Sequence, residues 1–197
     1  RRCRLGGGKS MALVMEALRQ GHIPNYRGLI LRATYPQLEA LIATSYEYYP
    51  RAFPGAKYNT SEKRWTFPSG ARIFFGYMQH EKDKYNYQGK PYDFIAFDEL
   101  THFSESQYMY LMSRNRPTGP GTRVYIRSTA NPGGTGHGWV KSRFITPAPP
   151  MTPIETTYKV DAPDGRVIET TRNRIFVPST VFDNPALLAN DPHYLDT

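Results

Sequence analysis

Cysteine is almost missing from this sequence: Cys3 stands alone among 197 residues. No disulfide can form within the chain, which fits a reducing compartment. Long apolar runs are missing as well. No stretch approaches the roughly 20 residues that cross a bilayer as a helix. Arg1-Arg2-Cys3-Arg4 is basic, but no apolar region follows it as a secretory signal requires. A soluble cytoplasmic protein with no membrane partner is the default expectation. Internal repeats are lacking. Beyond residue 145 no carboxylates gather into a two-metal nuclease site, and Asp161, Asp164, Asp183 and Asp191 read as turns and caps. Acidic residues are the minority, 17 against 25 basic, for a net charge of +8. That balance favours polyanionic partners, nucleic acid first, although solubility alone accounts for it equally well.

What is present suits one ordinary globular domain over residues 1–197. Hydrophobic residues make up 39% and aromatic residues 14%, enough for a packed core and too much for disorder. The ends read as cut, and a fragment or a shortened reading frame is expected. The glycine-rich segment near the start lacks the buried strand that normally aims such a loop. Pro192 to Thr197 reads as a helix that starts and stops without a cap.

Periodicity organises the chain. Met11, Val14, Met15 and Leu18 predict a helix over 10–20 with one apolar face, stopped at Gly21. Gly28 to Arg32 reads as a buried strand. A second helix over 36–48 opens on Pro36 and ends near Tyr49-Pro50. Period-two segments at 63–67 and 71–75 flank Pro68-Ser69-Gly70, which predicts a hairpin. Residues 77–91 read as a loop, and Tyr92 to Phe97 as a buried strand. Ser104 caps a helix over 105–113. Thr122 to Ser128 is another strand, followed by the loop Asn131-Pro132-Gly133-Gly134. A short helix is expected at 137–144. The Pro-rich 147–153 leads into a second hairpin, 154–160 with 166–172, turning at Pro163-Asp164-Gly165. A strand at 173–177 closes the pattern. Helices alternating with short apolar strands predict an α/β fold with a mostly parallel sheet covered on both faces.

Two segments carry chemistry. Gly6-Gly7-Gly8-Lys9-Ser10 has the parts of a phosphate-binding loop. Small residues let backbone N–H groups approach phosphate, Lys9 reaches the β and γ phosphates, and Ser10 offers a hydroxyl to Mg²⁺. The helix that follows points its N-terminus at the anion. The full pattern asks for glycine six residues before the lysine, and Cys3 occupies that position. Phe94-Ile95-Ala96-Phe97-Asp98-Glu99 is the second segment. Two carboxylates emerge at the C-terminal end of a buried strand, where ligands bind in open α/β sheets. Asp98 is expected to hold Mg²⁺, and Glu99 to act as general base on the attacking water. Standing alone, either segment has an ordinary reading, a glycine-rich turn or a strand ending in solvated acids.

Together with their surroundings these segments resemble the ATPase domain of the large terminase subunit of tailed bacteriophages. The likeness is carried by Leu31-Arg32-Ala33-Thr34-Tyr35-Pro36-Gln37-Leu38, by Phe67-Pro68-Ser69-Gly70-Ala71 and by Tyr87-Gln88-Gly89. It continues in Asp98-Glu99-Leu100-Thr101-His102-Phe103, in Ser128-Thr129-Ala130-Asn131-Pro132-Gly133-Gly134 and in His137-Gly138-Trp139-Val140-Lys141. It extends over nearly all of residues 6–190.

The resemblance implies a P-loop NTPase of the ASCE type with added β-hairpins. It implies an ATP-hydrolysing motor that moves double-stranded viral DNA into procapsids. ATP and Mg²⁺ are the cofactors. Gly6, Gly7, Gly8, Lys9 and Ser10 bind the nucleotide, Ser10 and Asp98 the metal. Ser128, Thr129 and Asn131 match the coupling motif that senses the γ-phosphate, although Asn-Pro-Gly-Gly is also turn chemistry in its own right. The family often places an arginine four residues before the lysine. Leu5 occupies that place here and Arg4 precedes it, so Arg4 is one candidate for a catalytic arginine. Arg116, with Arg114, is another, acting within the chain or across a subunit boundary, with a basic surface or DNA phosphate contact as the plainer readings. The implied partners are DNA, the terminase small subunit, the portal protein and further copies in a ring. The implied place is host cytoplasm, docked on the procapsid portal. The nuclease domain of that family is not expected in this chain. The departures at Cys3 and Leu5 leave open a catalytically impaired form that only binds nucleotide, DNA or partner subunits.

Overall fold

The computed structural model describes residues 8–161, 166–179 and 183. Where one domain is expected, the chain divides into two compact units, one ending at Gly136 and one beginning at His137. The division follows the pairing of strands: the main sheet lies wholly in the first unit, and the hairpin of the second pairs only with itself. Among the described residues no helix is long and apolar enough to cross a membrane.

The first unit is built on a six-stranded sheet. Its strands are β1 (Arg27–Arg32), β2 (Lys57–Asn59), β3 (Arg64–Thr66), β4 (Arg72–Tyr77), β5 (Phe94–Phe97) and β6 (Tyr125–Ser128). The spatial order is β2-β3-β4-β1-β5-β6. The β4, β1, β5 and β6 strands run parallel, while β2 and β3 pair antiparallel at one side. The predicted hairpin is therefore present with one strand more than the sequence suggested. Central strands of a parallel sheet are covered on both faces and read as continuous apolar runs. That is why all four residues of β5 are buried.

Helices α1 (Lys9–Ala17), α2 (Tyr35–Ala52) and α3 (Glu105–Met112) flank this sheet. Ser104 caps α3 as expected, and its hydroxyl accepts the Gln107 N–H in a reciprocal capping box. The buried face of α1 differs from the predicted one. Leu13, Val14, Ala17 and Leu18 are inside, while Met11 and Met15 are exposed. Two buried tyrosines explain the rotation. Tyr49 donates to the Val14 carbonyl and Tyr26 to the Ala17 carbonyl, each at 2.9 Å. The last turn of α1 tightens into a 3-10 turn at Leu18–Gln20, with the Leu18 N–H going to Met15 and Glu16, so the Val14 carbonyl lacks its helical donor. Burial pushes both tyrosine hydroxyls well above their ordinary range, so they stay protonated donors.

The second helix runs four residues beyond its predicted end at 48 and passes through Pro50. Proline removes only its own N–H, and the last turn closes through Phe53 N–H to the Tyr49 carbonyl at 2.9 Å. Strand β6 starts at Tyr125 rather than Thr122. Gln20, itself buried, takes both backbone groups of Arg123 with its amide, which occupies the ladder positions. Residues 77–91 are more ordered than a loop. Tyr77 completes β4, and Glu81–Tyr87 forms 3-10 turns capped reciprocally by His80 and Asp83.

In the second unit, α4 (His137–Val140) continues as a π-helical turn at Lys141–Ile145. Strands β7 (Ile154–Asp161) and β8 (Val167–Arg174) form the second hairpin. Its predicted turn at Pro163-Asp164-Gly165 lies outside the described residues. The expected strand at 173–177 is not formed beyond Arg174. Phe176 contributes a single carbonyl, accepting from Met151 N–H at 2.9 Å, and Pro178 has no N–H to extend a ladder.

Removing the Tyr49 hydroxyl leaves the Val14 carbonyl without its side-chain partner in a fully buried place. Tyr49→Phe is expected to lower unfolding free energy by about 1–3 kcal/mol. Tyr46→Phe, at a half-exposed tyrosine of the same helix, should change it by less than about 0.5 kcal/mol. Urea unfolding midpoints at equal slope check the pair.

Candidate nucleotide-binding site

Strand register creates the site. Leu31, Phe97 and Ser128 lie opposite one another across β1, β5 and β6. One step beyond them come Arg32, Asp98 and Thr129. Neighbouring strands stand roughly 4.8 Å apart and paired residues share a face, so these three side chains are brought together at the C-terminal edge of the sheet. The N-terminus of α1 meets the same edge.

Asp98 is fully buried. Its Oδ1 accepts the Ser10 hydroxyl at 2.9 Å and the Thr129 hydroxyl at 2.5 Å. Its Oδ2 lies 2.6 Å from Arg32 Nε. That approach is a charge contact without hydrogen-bond alignment, for neither atom finds a hydrogen-bond partner. A serine hydroxyl beside a carboxylate with one buried, unsatisfied oxygen fits Mg²⁺, which takes one or two protein oxygens and leaves the rest of its shell to water and phosphate. Ser10 and Asp98 would hold it.

Thr129 ties the two loops at this edge. Its hydroxyl also accepts the Glu99 N–H at 3.0 Å, its carbonyl accepts the Leu100 N–H at 2.7 Å, and its N–H reaches the Phe97 carbonyl at 2.9 Å. Glu99 is thereby held at φ 58°, a left-handed conformation uncommon for a side-chain-bearing residue. Asn131 completes the bridge. Its Oδ1 accepts from Lys9 Nζ and its Nδ2 donates to Glu99 Oε1, both at 2.6 Å. An amide can face a cation and an anion at once, with its oxygen toward one and its NH2 toward the other. Lys9 Nζ also reaches the Ala130 carbonyl at 3.2 Å.

Behind this cluster, Thr101 donates to the Asn131 carbonyl and its own carbonyl accepts the Gly136 N–H. Gly134 has φ 82°, and a Cβ there would stand 2.6 Å from the Thr101 carbonyl oxygen. Glycine is required by both facts. Tyr125 links β6 to α1 by donating to Glu16 at 3.0 Å. Burial first, then the Glu16 charge, pushes that phenol up to about 12.

The predicted residues are thus gathered unevenly. Lys9, Ser10, Asp98, Glu99, Thr129 and Asn131 converge, and Gly8 precedes them as the left-handed N-cap of α1. Arg4, Gly6 and Gly7 lie outside the described residues. Ser128 is exposed and, by strand alternation, faces away from the Asp98–Thr129 row. Arg116 lies elsewhere on the sheet. Its N–H bonds the Tyr92 carbonyl and its Nε the Ser113 carbonyl, so it sits where β5 begins. The six-residue rise from Tyr92 to Asp98 puts it roughly 20 Å from the cluster of its own chain. Arg32 received no role from the sequence. Two residues so far apart in the chain are joined only by register, which single-sequence reading does not supply.

The sequence matches, over residues 5–172, the family described as terminase large subunit, T4likevirus-type, N-terminal. The chain belongs to this family. No curated protein sequence matches it. Among solved structures, the ATPase domain of the large terminase of Thermus phage P74-26 is similar at 21% identity with a TM-score of 0.42. The match covers 64% of this chain and 56% of that one. The large terminase of bacteriophage HK97 is similar at 10% identity with a TM-score of 0.49, over 70% of this chain and 30% of that one. The chain therefore spans about half of the first of these structures and less than a third of the second.

Thr129→Val keeps the side-chain shape and removes both hydroxyl bonds. Unfolding free energy is expected to fall by about 1–3 kcal/mol. Ser128→Ala, one residue earlier and facing away, should shift it by less than about 0.5 kcal/mol. Equilibrium denaturation of the two variants compares them directly.

Proposed function

We propose that this terminase domain hydrolyses ATP and uses the energy to drive double-stranded viral DNA into procapsids. One observation carries the reading: Asn131 joins Lys9 of the glycine-rich loop to Glu99 of the acid pair, with Ser10 and Asp98 bonded alongside. Lys9, the Ser10–Asp98 pair and Glu99 therefore meet at one strand edge, which supports reading them as a phosphate-binding cation, a metal-binding pair and a base.

The residues divide the work. Lys9 grips the β and γ phosphates from the start of α1, with Gly6, Gly7 and Gly8 offering backbone N–H groups and Arg4 reaching the same anion. Ser10 and Asp98 hold Mg²⁺, which when bound neutralises charge on the phosphate oxygens. Glu99 accepts the proton of the attacking water. A phosphate is a stronger acceptor for an ammonium than a neutral amide is. Nucleotide therefore draws Lys9 from Asn131, and Asn131 is released to follow the γ-phosphate while still touching Glu99. That exchange couples the presence of the γ-phosphate to the position of the base. Thr129 acts by holding Asp98 and the Glu99 backbone rather than by touching phosphate.

The motor's partners in this reading are duplex DNA, the terminase small subunit, the portal protein and further copies of the chain in a ring. It works in the host cytoplasm, docked on the portal. The net charge of +8 suits contact with a DNA backbone irrespective of sequence. Arg116, remote from its own nucleotide edge, could serve only a neighbouring copy.

Purified protein should show ATPase activity that DNA increases. Lys9→Ala and Glu99→Gln are each expected to lower the turnover number by about a hundredfold or more. Steady-state phosphate release with and without duplex DNA measures this. Turnover that survives both substitutions would sink the proposal.

A further inference from the structure

Arg32 has no part in the roles above, yet it makes the one ion pair with Asp98 among the described residues. Its Nε stands 2.6 Å from Asp98 Oδ2, with the arginine side chain 16% exposed and the aspartate fully buried. The register that aligns Leu31 with Phe97 makes this neighbourhood unavoidable. Asp98 Oδ1 is already engaged by Ser10 and Thr129, so Oδ2 is the oxygen left for a metal, and Arg32 occupies its approach. The contact is close but not aligned as a hydrogen bond. It is held by charge, and charge is what an arriving cation contests.

Resting on the reading of Asp98 as a metal-binding residue, we infer that Arg32 is a positioning residue that reserves Asp98 for a metal ion arriving with nucleotide. A guanidinium is charged at every relevant pH and keeps its charge when nearly buried. It compensates the buried carboxylate while the site is free of nucleotide. A bare divalent cation must then displace a fixed positive charge and also shed water, which Mg²⁺ does reluctantly. A cation already carried by a polyphosphate brings negative charge with it, and the same phosphates offer the guanidinium a better partner. Arg32 ends β1 at the mouth of the sheet, where its long stem lets the head move without moving the strand.

Mn²⁺ binding to the purified protein, followed by electron paramagnetic resonance, tests this. The wild-type protein should bind Mn²⁺ with a non-hydrolysable ATP analogue, and about tenfold or more weakly without it, the low end of what one adjacent charge does to an ionic equilibrium. Arg32→Gln should bind Mn²⁺ without the analogue at least about tenfold more tightly than wild type, while Arg32→Lys stays close to wild type. A purely structural role for Arg32 predicts the opposite sign, weaker metal binding in Arg32→Gln. The inference is overturned if that variant binds no more tightly than wild type, or if wild type binds equally with and without the analogue. The second comparison needs no variant and decides the matter should Arg32→Gln not fold. Asp98→Asn separates the two levels of argument. If it leaves Mn²⁺·analogue binding intact, the metal-site reading and the inference fall together. If it abolishes binding while Arg32→Gln gains nothing, only the inference falls.

Discussion

The buried carboxylate of Asp98 is the constraint around which the first unit is arranged. An isolated charge with no exposure is too costly to keep unless partners surround it. Its partners come from three separate elements: Ser10 from α1, Arg32 from β1 and Thr129 from the loop after β6. None can be in place unless β1, β5 and β6 keep their parallel register and α1 begins at the strand edge. A sheet slipped by one residue would turn Asp98 away from all of them. The chemistry of the edge and the order of the sheet are therefore one requirement.

The position of α1 is secured from behind. Tyr26 and Tyr49 reach its last carbonyls from the core side, and Tyr125 reaches Glu16 from β6. Tyr49 belongs to α2 and stacks at tilted angles on Trp65 and Phe67 of the antiparallel side of the sheet. Trp65 in turn donates to Ser45 at 2.8 Å. An aromatic layer thus connects the C-terminal part of α1 to a hairpin on the far side of β1. Motion of Lys9 and Ser10 relative to Asp98 has to be local, because the rest of α1 is tied down.

Much of this was legible in the sequence, and the limits of legibility have physical causes. Gly8-Lys9-Ser10 and Asp98-Glu99 announce themselves because phosphate and metal chemistry demand those residue types at fixed local spacing. Ser104 and its box with Gln107 are equally local. A motif reads as a string, whereas strand alternation gives Thr129 and Ser128 opposite faces, so the two cannot share one role. Arg116 follows the helix after the acid pair in the sequence, and only the return crossover after α3 sets it at the other end of β5. Arg32 and Gln20 escaped because their partners, Asp98 and Arg123, are chosen by sheet register and by tertiary capture of a backbone. The face of α1 was misread for a related reason. Periodicity admits Met11 and Met15 as readily as Leu13 and Ala17, and buried hydroxyls from other elements decide between them.

Asp93 sets off what is unusual about Asp98. Both Asp93 and Asp98 flank β5, and both are fully buried. Asp93, at the N-terminal end, accepts the Arg27 N–H at 2.9 Å, the Thr118 N–H at 2.8 Å and the Thr118 hydroxyl, so each of its oxygens is answered by an aligned donor. Those donors are neutral and held by backbone, and they lock Thr118 and β1 to the start of β5. At the C-terminal end Asp98 has two hydroxyls on one oxygen and only an unaligned cation on the other. A saturated carboxylate has nothing to gain from a metal. One whose second oxygen is held only by charge can exchange that cation for another without breaking the hydrogen bonds that keep it in place. On this argument the difference between the two ends of β5 is not burial, charge or residue type. It is the unfinished coordination at one end, and the parallel sheet puts that end beside the glycine-rich loop.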